Sequence, residues 1–520
     1  MKKFLALILA LLMLTACFVG CNNTPDDPVD SDIESDTPNE SETPNETDPV
    51  DNTPNDPIEE SADMLQVGFG KVCITPDGSY AVPLAGSGDG KQRMTTDVKD
   101  DIYATAVVFK DKNGKMAVIV SIDILHLTTE DNQLYDRIMR YLKRIDGINE
   151  DGSNVILSAT HTHSSVDLTS TTTAEVKSKY ISFFCKAVNE AVEAAIADLA
   201  PAEIYIGKAE MKNMAFVRRY FAADGSFVGT QWPNSEAPVK HETEADTDMQ
   251  LVKVVRNGKR DLVLTNWGVH LTMVQENKMI SADFVSYFRD WMDKNANTDV
   301  VFFQGASGNT TPTSRLEGEG YTDDPDDYGK LLAQKLHNAM RKDGTLTKMD
   351  SCVEIKTVND TLDLKYNHAK LEGLSDATIN KAIEIAENFY SANITAAEAN
   401  AQARELGFSS VYECGTVRSL AKFNADKEAN EVGFWAFSMG ELSFASAPYE
   451  MFCQTGTQIR EGDKATTTFV VTHANGSNGY IPSSDVWDNL GYESVTCPYE
   501  KGTAERIAEL LISMVNKNYE

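Results

Sequence analysis

Residues 116–164, "MAVIVSIDILHLTTEDNQLYDRIMRYLKRIDGINEDGSNVILSATHTHS", decide the fold class. The run 116–123 is almost wholly apolar, rich in β-branched residues and short, which reads as a strand. Residues 130–145 place Leu134, Ile138, Met139 and Leu142 at spacings of three and four, the stripe of an amphipathic helix. A second apolar run, 154–161, follows as another strand. The same alternation extends outward: "IYATAVVF" (102–109) upstream, a helix over 173–198, strands "EIYIGKA", "DLVLTNWGV" and "VVFFQGA", and helices near 283–294 and 328–341. An alanine-rich pair of helices occupies 374–407, before "WAFSMGELSFASAP", "TTFVVTHA" and a closing helix at "GTAERIAELLISMVN". Strands alternating with helices predict an α/β domain with a central mixed sheet flanked by helices.

The N-terminal part has a different composition. Residues 1–17, "MKKFLALILALLMLTAC", combine two lysines, a short apolar run and small residues before Cys17, the layout of a secretion signal. Leu14-Thr15-Ala16-Cys17 resembles a bacterial lipobox, which would make Cys17 a lipid anchor and the protein an extracytoplasmic lipoprotein on the membrane surface. Residues 22–63 carry fifteen Asp or Glu, no Lys or Arg, and seven prolines. Such a segment cannot bury enough apolar surface to offset its ordering entropy and reads as a disordered acidic tether. The expected organisation is therefore a signal at 1–17, a tether at 18–63 and one domain at 64–520. The formal charge of −32 falls to −17 once the tether's fifteen carboxylates are set aside, which still argues against nucleic acid as a partner. Beyond Cys17 and Cys21, the cysteines 73, 185, 352, 414, 453 and 497 show no Cys-x-x-Cys spacing, so no thiolate zinc site is indicated.

Chemistry is concentrated at strand ends. Of eight histidines, His161 and His163 stand one residue apart after an apolar strand, where alternate residues share a face and two imidazoles suit zinc. The same pattern is also an ordinary polar strand end. The metallo-β-lactamase motif His-x-His-x-Asp-His is excluded, because Ser165 and Val166 fill its Asp and His places. His270 closes "LVLTNWGVH", and Glu450 follows the apolar "ASAPY". Either could be a ligand or a satisfied polar terminus. The loops "PLAGSGDG", "FFQGASGNTTP" and "ANGSNGYIP" are glycine-rich turns, and none carries a Walker phosphate loop or a Gly-x-Ser-x-Gly elbow.

Ten ordered segments together resemble the catalytic domain of the neutral/alkaline non-lysosomal ceramidase family: "GFGKVCITP", "VPLAGSGDG", "DDIYATAVVF", "SIDIL", "SATHTHS", "NWGVH", "SADF", "FFQGASGNTTP", "APYE" and "NGYIP", over roughly residues 65–497. The resemblance implies a zinc amidase holding one Zn2+ per chain through His161, His270, Glu450 and Tyr480. It assigns His163 and Tyr492 to substrate and the developing oxyanion. In "MAFVRRY" it points to Arg218 as the active-site arginine, the alternative being that Arg218 and Arg219 form an ordinary surface pair. The expected reaction is zinc-assisted attack of water on the N-acyl amide of a ceramide-like lipid, giving a fatty acid and a sphingoid base.

Three departures bear on the substrate. Gly305, in Gln304-Gly305-Ala306, stands where ceramidases carry a serine, and Ser307 could replace it only along another loop path. Leu271 follows His270 where the family prefers proline. The chain stops twenty-eight residues beyond Tyr492, so no C-terminal immunoglobulin-like domain is expected. Two other readings remain at this point: the same zinc chemistry on a different amide or ester, and a tethered lipoprotein that binds without turnover.

Overall fold

A computed structural model describes residues 57–86, 93–127, 133–169, 172–229 and 237–520. The signal, Cys17 and the tether up to residue 56 lie outside the described residues, as does part of the "PLAGSGDG" loop. Residues 57–63, acidic like the tether, are held in place: Asn257 receives the Ile58 N–H on its Oδ1 at 2.9 Å and donates from Nδ2 to the Ile58 carbonyl at 3.0 Å.

The expected α/β architecture is present, with its β-structure divided among three principal sheets. The first has the spatial order Val155–Ala159, Met116–Ile122, Tyr103–Lys110, Gln66–Cys73, Ala200–Pro201. The second runs Thr298–Gln304, Asp261–Trp267, Asp248–Val255, Glu203–Glu210, Leu346–Lys348. The third runs Ile355–Lys365, Ala429–Met439, Leu442–Ser446, Thr467–Val471. Most neighbours are antiparallel, yet each sheet has one parallel pair at its edge: Met116–Ile122 with Val155–Ala159, Asp261–Trp267 with Thr298–Gln304, and Leu442–Ser446 with Thr467–Val471.

Parallel neighbours need a crossover, and in each case a helix supplies it. The three crossovers contain Leu134–Leu142, Phe284–Ala296 and Cys453–Gly462. The period-two rule explains why both faces of these strands are apolar. Val118, Val120 and Ile122 turn outward onto the helices Leu134–Leu142 and Ile181–Ala197. Ala117 and Ile119 turn inward to a core shared with Leu262, Leu264, Val301 and Phe303 of the second sheet and Phe444, Phe469 and Val471 of the third. Val263, Val300 and Phe302 face the opposite way, onto Phe284–Ala296 and Pro325–Arg341. Three sheets therefore enclose one core, each with helices on its outer face.

The expected helical pair is Asp376–Tyr390 and Ala396–Glu405, the latter started by a Thr395–Glu398 capping box, and Val411–Arg418 follows as a third helix. The strand Ile355–Lys365 was not expected. It is largely exposed and polar, and it exists through its eleven-residue antiparallel register with Ala429–Met439. All six described cysteines are free thiols. No helix among the described residues is long and apolar enough to cross a membrane.

Candidate metal centre

The site lies where the three parallel pairs end. His161 comes two residues after Ala159, His270 three after Trp267, and His473 two after Val471, so each sheet delivers one histidine. The departing segments are stitched together. Thr162 bridges Leu271, Ser158 bridges Ala474, and the Thr472 N–H donates to the Gln304 carbonyl at 3.0 Å. Ligands in α/β sheets collect at such carboxyl ends of strands.

Local bonds aim each side chain. His161 Nδ1 lies 2.9 Å from the Leu125 carbonyl, an acceptor only, so Nδ1 carries the proton and Nε2 presents its lone pair inward. His270 Nδ1 meets the Ser307 carbonyl at 2.8 Å and that of Thr310 at 3.0 Å, which fixes the same tautomer. His161 and His163 meet with their Nε2 atoms 3.3 Å apart. The cause differs from simple strand alternation, because His161 has φ 66° and the strand has already ended at Ala159. Gly86 lies over the His163 ring so closely that a Cβ there would sit 2.8 Å from its Cγ and Nδ1.

Glu450 and Tyr480 enter through a two-residue parallel bridge, Glu450–Met451 against Tyr480–Ile481, which sets the two side chains in register. Gly308 packs onto the Glu450 backbone, where a Cβ would fall 2.4 Å from its carbonyl oxygen. Glu450 Oε2 is 3.4 Å from both His161 Nε2 and His270 Nε2. Tetrahedral zinc with bonds of 2.0–2.1 Å separates its donors by about 3.3–3.4 Å, so Glu450 Oε2 already stands at ligand spacing from each of the two imidazoles. His270 Nε2 and Glu450 Oε2 are buried and complete no hydrogen bond, the condition of donors arranged for a cation.

The electrostatics agree. Burial works against the Glu450 carboxylate, but His161, His270 and His473 outweigh it and hold the group well below the usual carboxylate range. Burial pushes His270 down to about 4 and, reinforced by His161 and His270, puts His163 well below the ordinary imidazole range. Imidazoles such as His270 and His163, kept neutral by burial, beside an ionised carboxylate suit a divalent ion, and the residues present fit zinc.

Arg218 and Arg219 are not a surface pair. Arg218 faces the site, donating from Nη2 to the Tyr480 hydroxyl at 3.1 Å and the Gly308 carbonyl at 3.0 Å, and from Nε to Glu493 at 3.0 Å. Arg219 turns the other way and is fully buried between Glu242 and Glu493. Burial opposes the Arg218 charge, and Tyr480 and Glu493 more than restore it. Tyr492 stands edge-on to Tyr480 at 5.3 Å between ring centres, and Tyr412 of the helical insert stands edge-on to Tyr492 at 5.4 Å. Burial, and after it Glu450, holds the Tyr480 proton well above the usual phenol range. Tyr492 is likewise raised, by burial and then by Tyr480.

Gly305 leaves no room for a serine: a Cβ would fall 2.7 Å from the Trp267 carbonyl carbon and the Gly268 nitrogen. Ser307 is buried with its hydroxyl unpaired, and its contribution is the carbonyl that orients His270. Leu271 is fully buried in the core beneath the second sheet, so its departure from proline is local. The residue that sequence reading missed is His473, stacked on His161 with ring centres 3.9 Å apart and planes at 20°. Its signal, a histidine just after an apolar strand, is the one that marked His270.

Comparison with known proteins agrees with this geometry. Residues 65–318 match the family profile "Neutral/alkaline non-lysosomal ceramidase, N-terminal". Neutral ceramidase B of Dictyostelium discoideum is 24% identical over 391 residues, which cover 68% of this chain and 52% of that protein. Neutral ceramidase A of the same organism is 26% identical over 277 residues, 48% of this chain and 36% of that protein. The chain thus spans about half or less of the curated relatives it matches. The crystal structure of neutral ceramidase from Pseudomonas aeruginosa superposes with a TM-score of 0.62 at 16% identity, covering 88% of this chain and 74% of that one. A structure of ceramidase complexed with C2 gives the same score and identity, over 88% and 75%.

Proposed function

Since residues 65–318 belong to the neutral/alkaline non-lysosomal ceramidase family, we propose that the protein is a zinc-dependent amidase hydrolysing the N-acyl amide of ceramide-like lipids. The observation that carries this reading is the convergence of His161, His270 and Glu450 at ligand spacing, with Tyr480 in register beside Glu450. Zinc, when bound, supplies Lewis-acid chemistry, polarising the amide carbonyl and making water nucleophilic near neutral pH. His161, His270, Glu450 and Tyr480 would hold it.

The other side chains serve the reacting amide. Arg218, fixed by Glu493 and Gly308, presents a permanent positive charge next to Tyr480, where negative charge develops on the carbonyl oxygen. Tyr492 keeps its proton and donates a hydrogen bond. His163, neutral and half-buried with Gly86 packed over its ring, contacts substrate. Water adds to the carbonyl, the C–N bond breaks, and a carboxylate and a protonated amine leave.

A second reading, the same chemistry on a different amide or ester, is favoured by the closed contact at Gly305 in place of the ceramidase serine. One experiment separates the readings: measure zinc per chain, then assay short- and long-chain N-acylsphingosines and N-acyl and ester substrates without a sphingoid base, with His161→Ala as control. About one zinc and ceramide turnover abolished in the variant supports the first reading. Zinc with turnover only of the other substrates supports the second, and no zinc with no turnover leaves a binding protein. We further propose that Cys17 is lipidated and holds the protein outside the cytoplasm. Labelled fatty acid should enter the wild type and not Cys17→Ala.

A further inference from the structure

Resting on the amidase reading above, we propose that Lys370 is a positioning residue for Tyr492, holding the short helix that carries it by capping the C-terminal end. Tyr492–Thr496 is only five residues long. A helix this short does not sustain itself, because nucleation costs more than its first bonds return, and its last carbonyls have no partner within the helix. The sequence deepens that deficit. Residue 498 is proline, so the Ser494 carbonyl cannot receive the N–H that a continuing helix would supply. Cys497, just before the proline, is accordingly in extended backbone, with φ −71° and ψ 120°.

Side chains from a distant part of the chain make up the difference. Lys370, in the one-turn helix His368–Leu371, donates from Nζ to the carbonyls of Ser494 at 2.7 Å, Val495 at 3.2 Å and Cys497 at 2.7 Å. All three ammonium protons thus serve one helix end. Thr416 Oγ1 donates to the Thr496 carbonyl at 3.2 Å, the Cys497 N–H to that of Glu493 at 3.2 Å, and the Thr496 hydroxyl to that of Tyr492 at 2.8 Å. Every carbonyl from Tyr492 to Cys497 therefore has a donor. The Lys370 turn is itself tied down, since the Asn367 N–H donates to the Pro498 carbonyl at 2.8 Å and Nζ lies 5.7 Å from the centre of the Trp487 ring. A cation at a helix C-terminus also complements the helix dipole. Burial pushes the Lys370 ammonium down from the usual lysine range, with Cys497 and Glu413 opposing, a cost that a surface lysine would avoid.

The start of the helix shows what the cap protects. Glu493 receives Arg218 Nε at 3.0 Å and Arg219 Nη1 at 2.9 Å, which anchors one end. Tyr492, beside it, stands edge-on between Tyr480 and Tyr412. Anchored at Glu493 alone, five residues would be free to pivot, and the Tyr492 hydroxyl would swing with them. Lys370 fixes the other end, so the direction of the ring is set from both. A hydrogen-bond donor assists a developing oxyanion only when it is already held in place.

The test compares full-length wild type with Lys370→Met, which keeps the length of the side chain and removes its donors, and with Lys370→Arg, which keeps a charged donor. Hydrogen–deuterium exchange of the metal-free proteins should be about tenfold faster over residues 492–497 in Lys370→Met and unchanged over residues 284–296. With zinc supplied, kcat toward a short-chain N-acylsphingosine should fall about tenfold while KM moves little, because the donor displaced acts in the transition state. Lys370→Arg should recover most of that loss. In a Tyr492→Phe background Lys370→Met should cost much less, since its effect passes through the hydroxyl already removed. Unchanged exchange over residues 492–497 overturns the proposal, and so does a kcat loss of equal size in the Tyr492→Phe background. Faster exchange throughout the domain overturns it as well, by making Lys370 a general support of the fold. A wild type that turns over no N-acyl substrate refutes the amidase reading, while exchange still reports on Lys370, so the two failures are distinguished.

Discussion

Replacing Arg219 by methionine should destabilise the fold far more than it disturbs the metal. The guanidinium is wholly buried. It binds Glu242 through Nε at 2.5 Å and Nη2 at 3.1 Å, Glu493 through Nη1 at 2.9 Å, and the Val486 carbonyl at 3.1 Å. Both carboxylates are about 2% exposed, so solvent does not screen the pairs. Without Arg219, Glu493 keeps Arg218, but Glu242 keeps only the Asn489 amide at 2.6 Å, a neutral donor for a buried charge. Leaving one partner of a buried pair uncompensated costs about 3–5 kcal/mol, a large part of the 5–15 kcal/mol typical of a folded domain. Gly491 packs against this guanidinium, where a Cβ would fall 2.3 Å from Nη1, so the helix Tyr492–Thr496 should loosen and turnover should fall with stability.

The assay is guanidinium unfolding followed by tryptophan fluorescence, with zinc content measured in parallel. The double variant Arg219→Met/Glu242→Met removes the stranded carboxylate and should recover much of the loss, because a buried ion pair replaced by apolar groups is often neutral. A loss below about 1 kcal/mol in the single variant would refute the reasoning, since that is the range of an exposed pair. So would a double variant no more stable than the single one.

Gly305→Ser should force the new Cβ about 0.7 Å inside ordinary contact with two backbone atoms, costing about 1–3 kcal/mol and displacing Gly268, two residues before His270. Zinc per chain should fall, and a stable variant with full zinc would show that the loop opens. Burial pushes Asp283 up to about 7 and Asp100 up to about 6, so the folded state holds protons that the unfolded chain releases near pH 4. The stability they contribute is complete below that pH and lost as pH rises through 6 and 7. Unfolding midpoints should therefore decline across this window, with a shallower decline in Asp283→Asn. Chelation should lower the melting temperature, and zinc at 100 times its Kd should restore about 2.7 kcal/mol. No shift on chelation would mean that the ligand set does not hold an ion.

How far the sequence could be read depended on where the determining contacts lie. Met116–Ile122 and Val155–Ala159 were legible because burial on both faces leaves a continuous apolar run. Ile355–Lys365 was not, because its residues carry no periodic burial and its order comes from a partner some seventy residues away. Division into three sheets was likewise hidden: alternation tells which face of Val118 or Ile119 is buried, but not which sheet meets it across the core. His161 and His270 stood out as imidazoles at strand ends. Glu450 could be read only as one carboxylate after an apolar run, and Tyr480 was reachable only through the family resemblance, because a two-residue bridge has no pattern to read. The role of Arg219 depends on Glu493, 274 residues along the chain, so in sequence it looked like half of a surface pair.

The three-sheet arrangement also accounts for the glycines around the centre. Parallel strands from separate sheets can bring their ends within reach of one ion only if the connecting loops approach backbone to backbone. Gly268 and Gly305 meet this way, and Gly308 lies against Glu450 in the same manner. A Cβ at any of these positions would fall 2.3–2.7 Å from backbone atoms, so the shift needed to relieve it exceeds the tolerance of a metal site, about 0.2 Å. The glycine-rich loop "FFQGASGNTTP" therefore does its work through closeness: its Ser307 and Thr310 carbonyls orient His270, and its Gly308 lets Glu450 lie beside Tyr480. The same close packing at Gly305 ties its loop to Gly268 and closes the space that a side chain there would occupy.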